Sequence, residues 1–460
     1  MSFTYSIRAR VPIEDKLPPT APLPAGLQTL ACRFWPLAYF EHCRARYGDR
    51  FTVRPVDMPP LVFLANPREI RAVLAAPPSV LHTGTGREVV VPLFGEDAFM
   101  LREEEEHMCG RNAILPAFRQ RVILEYTEMV AETVVREVDS WPLGEPFAVY
   151  PRLRALTLRV IMRALFGGED PAFAGLHERL LRMLSVMSGL LLQEPRLRHL
   201  PGWRGEWGRF VHLRNEVHRL IFALIARRRE TGEHNGDLLE MLLAAHNEDG
   251  SPMSDRQVRD NLLSVLIAGH ETTASELAWA FQLLAHNPSV QQQLIEEIDG
   301  AHDEEYMTAT IHEVLRDRPV FPFAGPRAVV QSIEVGGCTY RPPAQLLPCI
   351  YLVHHDPELY PAPHKFRPER FLGSSPQPRI WLPWGGGRKR CVGQHLALLE
   401  MSTVLRTTLL DRQVLPAARR IERERWRSVL LTPHAGSRIV LRRRLSARVP
   451  RSRPPAKVAA

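Results

Sequence analysis

The chain has 460 residues, 45% hydrophobic, 24% charged and 8% aromatic, enough apolar material for a large core, which excludes wholesale disorder. Its formal charge of +8 comes from 59 basic and 51 acidic residues, and eight basic residues without any acid follow residue 437, so the excess belongs to a C-terminal tail on a balanced body. Six cysteines with no C-x-x-C pair and no zinc spacing argue against a disulfide framework or a structural zinc site, and a reducing cytoplasm is the default.

The N-terminus lacks the apolar core of a signal peptide. No stretch approaches the roughly 18 apolar residues of a membrane span. Residues 1–24 form a Pro-rich arm, and six prolines between 12 and 36 read as extended chain leading into the fold. Residues 51–65, FTVRPVDMPPLVFLA, predict a hairpin. From Arg119 to Trp141 the apolar residues Val122, Tyr126, Met129, Val130, Val134 and Val138 predict one helix. Similar stripes cover 152–166, 173–192 and 208–229. Ser254, with Gln257 three residues on, is a capping box opening a helix of about 32 residues that Pro288 stops, about 48 Å long. A helix near 303–317, an irregular meander over 342–383 with ten prolines, and a last helix over 394–411 complete the chain. This pattern predicts one large, mainly α domain over 25–440 with a small β portion, and a basic tail over 441–460 read as disordered.

Trp384-Gly-Gly-Gly-Arg-Lys-Arg-Cys-Val-Gly393 is the sharpest chemical signal. Three glycines let the backbone approach a flat partner. A lone Cys391 among three cations before a helix is expected to be a thiolate suited to a metal whose other positions a macrocycle fills. A structural Cys or an anion-binding loop are the competing readings. In the long helix, Ser264, Ala268 and Thr272 fall on one face and leave a trough of small residues. Glu271 beside Thr272 pairs an acid with an alcohol able to relay protons; a helix-packing groove is the alternative. Glu313 and Arg316 at i, i+3, His107 and Arg111 at i, i+4, and the turn Phe366-Arg-Pro-Glu-Arg-Phe371 are each ordinary in isolation.

Together and in this order, the segments resemble the cytochrome P-450 superfamily of haem-thiolate monooxygenases over about residues 25–440. The loop resembles F-x-x-G-x-R-x-C-x-G, with Gly387, Cys391 and Gly393 in place. Ala268-Gly-His-Glu-Thr-Thr273 resembles A-G-x-[DE]-T-T, and Glu313/Arg316 resemble E-x-x-R. The resemblance implies a triangular single haem domain with a long central helix over haem b, and Cys391 as axial iron ligand. Glu271 and Thr272 would deliver protons. His107, Arg111 and Arg327 would meet the haem propionates, with Ala268, Trp384, Gly385 and Gly393 against the macrocycle. Two departures stand out: Trp384 replaces the usual Phe, and Lys389 stands where Arg or His binds a propionate, so it gives a point charge without a fork. Glu313, Arg316 and Arg370 would form a buried network.

By family position the substrate pocket takes Val89, Leu93, Phe94, Leu263, Ile267, Val320, Phe323 and Leu431, with further lining from 185–200, including Met187 and Leu190. That lining implies a hydrophobic small molecule of terpenoid, fatty-acyl or polyketide type, in secondary metabolism. The resemblance further implies O2, electrons from ferredoxin and ferredoxin reductase docking at Arg388, Lys389 and Arg390, no nucleic acid, and a monomer in a bacterial cytoplasm. An H2O2-driven haem peroxygenase is the alternative within the haem class. A cysteine-nucleophile hydrolase using Cys391 is the alternative outside it.

Overall fold

The computed structural model describes residues 17–83, 87–167, 171–186, 197–198, 200–300, 304–427 and 429–444. Among these, twelve short strands run in chain order as β1 Arg50–Val53, β2 Leu61–Leu64, β3 Leu81–Thr83, β4 Pro146–Ala148, β5 Arg327–Val329, β6 Ile333–Val335, β7 Cys338–Tyr340, β8 Gln345–Pro348, β9 Arg412–Pro416, β10 Glu424–Arg427, β11 Leu430–Pro433 and β12 Arg438–Arg443. The chain divides into two compact units, Met1–Gly84 with Gly325–Pro348, and Thr85–Ala324 with Cys349–Ala460.

The first unit is built on a five-stranded sheet of order β1-β2-β8-β5-β3 beside the β6-β7 hairpin. The expected hairpin is β1 paired antiparallel with β2, Phe51 facing Phe63 with the two rings stacked 5.0 Å apart. The reading of 12–36 as extended chain needs correction, because helices span Ala25–Phe34 and Pro36–Tyr47. The prolines initiate instead of interrupting: Pro24 is the N-cap of the first helix and Pro36 the opening residue of the second, where no N–H is needed. The arm is extended just before them, where Thr20 bridges Thr52 of β1.

The second unit is mainly helical, with its main core formed around the helix Asp255–His286 and a small separate cluster of Ala309, Tyr360 and Phe371. Its capping box is present: the Ser254 N–H donates to Gln257 Oε1 at 2.9 Å and the Gln257 N–H to Ser254 Oγ at 3.3 Å. The helix Tyr150–Phe166 crosses it closely at Gly269, where an added Cβ would come within 3.0 Å of Ile161. The helix expected over 119–141 is two, Gln120–Glu125 and Thr127–Asp139, broken at Tyr126, whose N–H bonds back to Ile123 in a tight turn. Helices Glu305–Asp317 and Gln394–Asp411 stand where the sequence places them. The boundary at 440 falls short of the fold: β12 continues through Arg443, paired with Arg412, and Arg444 donates to the carbonyls of Leu409 and Leu410 and pairs with Asp299. The rest of the expected tail, 445–460, lies outside the described residues.

Candidate functional site

Residues 382–393 form a folded loop before the helix Gln394–Asp411. Gly385 and Gly387 take φ of +65° and +66°, a region that a Cβ disfavours, and these turns bring the Cys391 N–H to the Trp384 carbonyl at 3.0 Å. Part of Cys391 is accessible, yet the protein packed around the sulfur desolvates it. That burial pushes the thiol above its ordinary value, while the Gly393 N–H and the Arg111 and Arg390 guanidiniums pull it down. The surrounding cations alone therefore do not make it the expected thiolate; a bound metal would.

The helix Glu104–Ile114 braces this loop. His107 is buried, with Nδ1 2.9 Å from the Phe99 carbonyl and Nε2 3.5 Å from that of Arg388; burial holds it below its usual value and neutral at pH 7. Arg111 Nη1 donates to the Arg390 carbonyl at 2.7 Å. Lys389 Nζ reaches back to the Arg102 carbonyl at 2.7 Å and to Glu103 at 3.4 Å. Three successive loop residues are thus tied down from 102–111. Lys389 spends its charge on Glu103, whereas the sequence assigned it to a propionate. Arg327 lies on β5 of the first unit and donates to the Gly325 carbonyl at 2.7 Å.

Between Asp260 and Ala285 every residue of the long helix is buried except Ala268, Gly269 and Thr272. Of the expected small-residue trough, Ala268 and Thr272 are partly accessible at mid-helix, whereas Ser264 is buried and donates to the Asn261 carbonyl at 2.9 Å. Thr272 Oγ1 donates to the Ala268 carbonyl at 2.7 Å and Thr273 Oγ1 to that of Gly269 at 3.3 Å, the back-bonding that loosens a helix locally.

Glu271 departs from the expected acid–alcohol pair. Its carboxylate is buried, accepting from Tyr150 Oη at 2.6 Å and Arg154 Nε at 2.7 Å, with Arg427 3.8 Å away. Burial acts to raise its pKa, but His270, Arg154 and Arg427 more than offset that and hold it well below the carboxylate range. The sequence reading missed Tyr150, Arg154 and Arg427. An arginine inside the apolar stripe over 152–166 was the available signal for Arg154; Arg427 gave none.

The charged network is buried as expected. Arg316 grips Glu313 with two bonds, Nε to Oε2 at 2.7 Å and Nη2 to Oε1 at 2.9 Å, both side chains fully buried. Arg370 Nε adds 3.3 Å to Glu313 Oε1. His354, also missed, lies between this network and the glycine loop, with Nδ1 3.2 Å from the Arg316 carbonyl and Nε2 accepting the Leu382 N–H at 2.9 Å.

Of the pocket candidates, Leu93, Leu263, Ile267, Val320 and Leu431 are buried core side chains, while Phe94 and Phe323 keep partial exposure. Val89 belongs to the helix Arg87–Phe94, but its side chain, like residues 187–196, lies outside the described residues.

The donor set fits a haem: one accessible thiol beside two guanidiniums, open space where Gly385 and Gly393 lack a Cβ, and an uncrowded face at mid-helix. The sequence model of the family Cytochrome P450 matches residues 17–438. The chain belongs to the cytochrome P450 family. This P450 is 34% identical over 438 residues to cytochrome P450 135B1 of Mycobacterium tuberculosis, covering 93% of this chain and 91% of the relative. It is 32% identical to cytochrome P450 137 of the same organism, covering 92% and 91%. Among solved structures, retinoic acid bound cyanobacterial CYP120A1 shares the fold with a TM-score of 0.81 at 22% identity, over 93% of this chain and all of that one. The heme domain of cytochrome P450DA does so at 0.80 and 21%, over 94% and 98%. The family's cofactor is haem b and its activity is haem-thiolate monooxygenation, with O2, a redox partner protein and a small-molecule substrate.

Proposed function

We propose that this P450 oxidises a C–H bond of an apolar small molecule of terpenoid, fatty-acyl or polyketide type, in secondary metabolism. The observation that carries this reading is the accessible face of the long helix. It offers Ala268, Gly269 and the Thr272 hydroxyl, while the neighbouring carboxylate of Glu271 is consumed by Tyr150 and Arg154. No charge is left on that face to recognise an ion. Partly exposed Phe94 and Phe323, the latter 6.1 Å from Trp426, add apolar surface.

Haem b, when bound, supplies O2 activation and oxygen insertion. Cys391 would give up its proton to hold the iron, with the Gly393 N–H tempering the sulfur. Thr272 Oγ1 holds its proton on the Ala268 carbonyl and would move it into the site on rotating free. Glu271 Oε2 accepts a hydrogen bond from the Tyr150 hydroxyl and, kept ionised, orients the helix turn and its cations more than it donates.

Electrons would come from a ferredoxin and its reductase. Arg388 and Arg390 are exposed beside Cys391 and form a basic docking patch, in which Lys389 takes a structural part. The six free cysteines suit a reducing cytoplasm, and the protein would act as a monomer. Spectral shifts of the loaded protein across a panel of terpenes, fatty acids and macrolides test the substrate class; tight response only to charged, hydrophilic compounds would refute it. Arg388→Glu should slow reduction by ferredoxin and weaken its salt dependence, and unchanged kinetics would refute the docking patch.

A further inference from the structure

Half of the large apolar side chains exposed among the described residues fall between residues 23 and 58, in the first unit. They are organised. Leu27, Leu30 and Phe34 lie at i, i+3 and i+7 of the helix Ala25–Phe34, 51%, 49% and 60% exposed, and Trp35 follows at 63%. The β1–β2 loop lies against this helix: the Val56 N–H donates to Thr29 Oγ1 at 3.0 Å and the Arg54 N–H to Gln28 Oε1 at 2.8 Å. Val56 and Met58 of that loop are themselves 49% and 45% exposed.

The helix is inside-out. Its buried residue is Gln28, whose Nε2 donates to the Leu23 carbonyl at 2.8 Å, while leucine and phenylalanine face outward. A surface helix of a globular protein does the reverse, and exposed apolar surface organised this way marks an interface. The charge of the unit indicates which one. The unit's described residues, 17–83 and 325–348, hold nine arginines against five acidic residues, a net of +4, whereas residues 85–324 and 349–444 sum to −1. Arg54 is exposed in the loop itself, with Asp57 its one acid. A second copy of this chain would bring +4 against +4, so self-association meets repulsion. An anionic lipid surface meets both the apolar face and the charge, and Phe34 and Trp35, rings 5.9 Å apart, suit the headgroup boundary.

We propose that this face seats the protein on the anionic surface of a bilayer, its first helix lying in the headgroup interface. No helix among the described residues is long and apolar enough to cross a membrane, so the attachment is peripheral. The reading is independent of the substrate proposed above.

Flotation of the full-length holoprotein with vesicles of phosphatidylcholine alone, and of phosphatidylcholine with phosphatidylglycerol, tests it. The wild type should float with the anionic vesicles, and the triple variant Leu30→Ser/Phe34→Ser/Trp35→Ser should lose at least about tenfold in partitioning with its reduced CO spectrum unchanged. The pair Leu27→Ser/Met58→Ser, cutting the same face elsewhere, should weaken binding too and guards against a folding defect in the triple variant. The basic tail is common to all three proteins, so its pull cancels. A wild type that stays down with both vesicle types, or variants that float as it does, would overturn the proposal. So would a wild-type dimer in light scattering that the triple variant converts to monomer, since the face would then belong to a second copy.

Discussion

His354 Nε2 accepts the backbone N–H of Leu382 at 2.9 Å. The same ring holds the Arg316 carbonyl on its Nδ1 side, and Arg316 Nη1 donates to the His354 carbonyl at 2.7 Å. An acceptor at Nε2 requires the proton on Nδ1, and burial, aided by Arg316, holds the ring neutral far below its ordinary value. One imidazole therefore connects the buried Glu313–Arg316 pair to the first residue of the loop that ends at Cys391, since the Gly385 N–H in turn bonds to the Leu382 carbonyl at 3.0 Å.

Replacing His354 with Leu keeps the volume and strands the Leu382 N–H. It should cost about 1–3 kcal/mol of stability and lower the haem retained per protein, while His354→Asn restores part of both. Denaturant titration and haem stoichiometry read this out. A His354→Leu protein as stable and as fully loaded as wild type would remove the proposed link.

Glu313→Ala leaves the Arg316 guanidinium, fully buried, without its carboxylate, at a cost of about 3–5 kcal/mol. The variant should not incorporate haem. A soluble, red, fully loaded mutant would show that the network does not support the loop.

Glu271 gives a pH dependence of definite sign. Its folded-state value lies below the ordinary 4.5, so its contribution is present above 4.5 and is lost as pH falls through and below that value. Glu271→Gln leaves Arg154 and Arg427 facing each other, and should unfold more readily than wild type by a constant margin from pH 7 down to the ordinary 4.5, with the gap closing only as pH falls below that value. Thermal unfolding across that range checks it; a gap that widens on acidification contradicts the pairing.

Glu276 runs the other way. It is buried one turn past Thr272 with Oε1 accepting the Val320 N–H at 3.0 Å and Oε2 unpartnered, and burial pushes its carboxyl up to about 8. Its contribution is complete below 4.5 and is lost as pH rises toward 8. Glu276→Gln, which keeps the acceptor without a charge to bury, should gain on wild type between those values by on the order of 1–3 kcal/mol. A pH-independent difference between the two proteins would show that Glu276 does not titrate in this window.

Motifs whose partners are close in sequence were legible before the structure. The capping box at Ser254, the glycine turns before Cys391 and the Glu313–Arg316 pair depend on spacing of three or four residues, and spacing is what a sequence displays. The helix Ala25–Phe34 was hidden because Pro24 and Pro36, which start helices as readily as they stop them, sit on either side of it. The fate of Glu271 was hidden because Tyr150, Arg154 and Arg427 lie more than a hundred residues away. The pairing of Lys389 with Glu103 was hidden for a similar reason: it is a partner that only the tertiary fold brings near.

The visible spectrum of the reduced, CO-treated protein tests the central claim, that Cys391 is the axial ligand of a haem iron. The wild type should show the strongly red-shifted Soret band of a thiolate-ligated ferrous carbonyl, and Cys391→His should abolish that band while retaining a haem of imidazole type. A wild type with no chromophore, or a Cys391→His protein with an unchanged spectrum, would contradict the account.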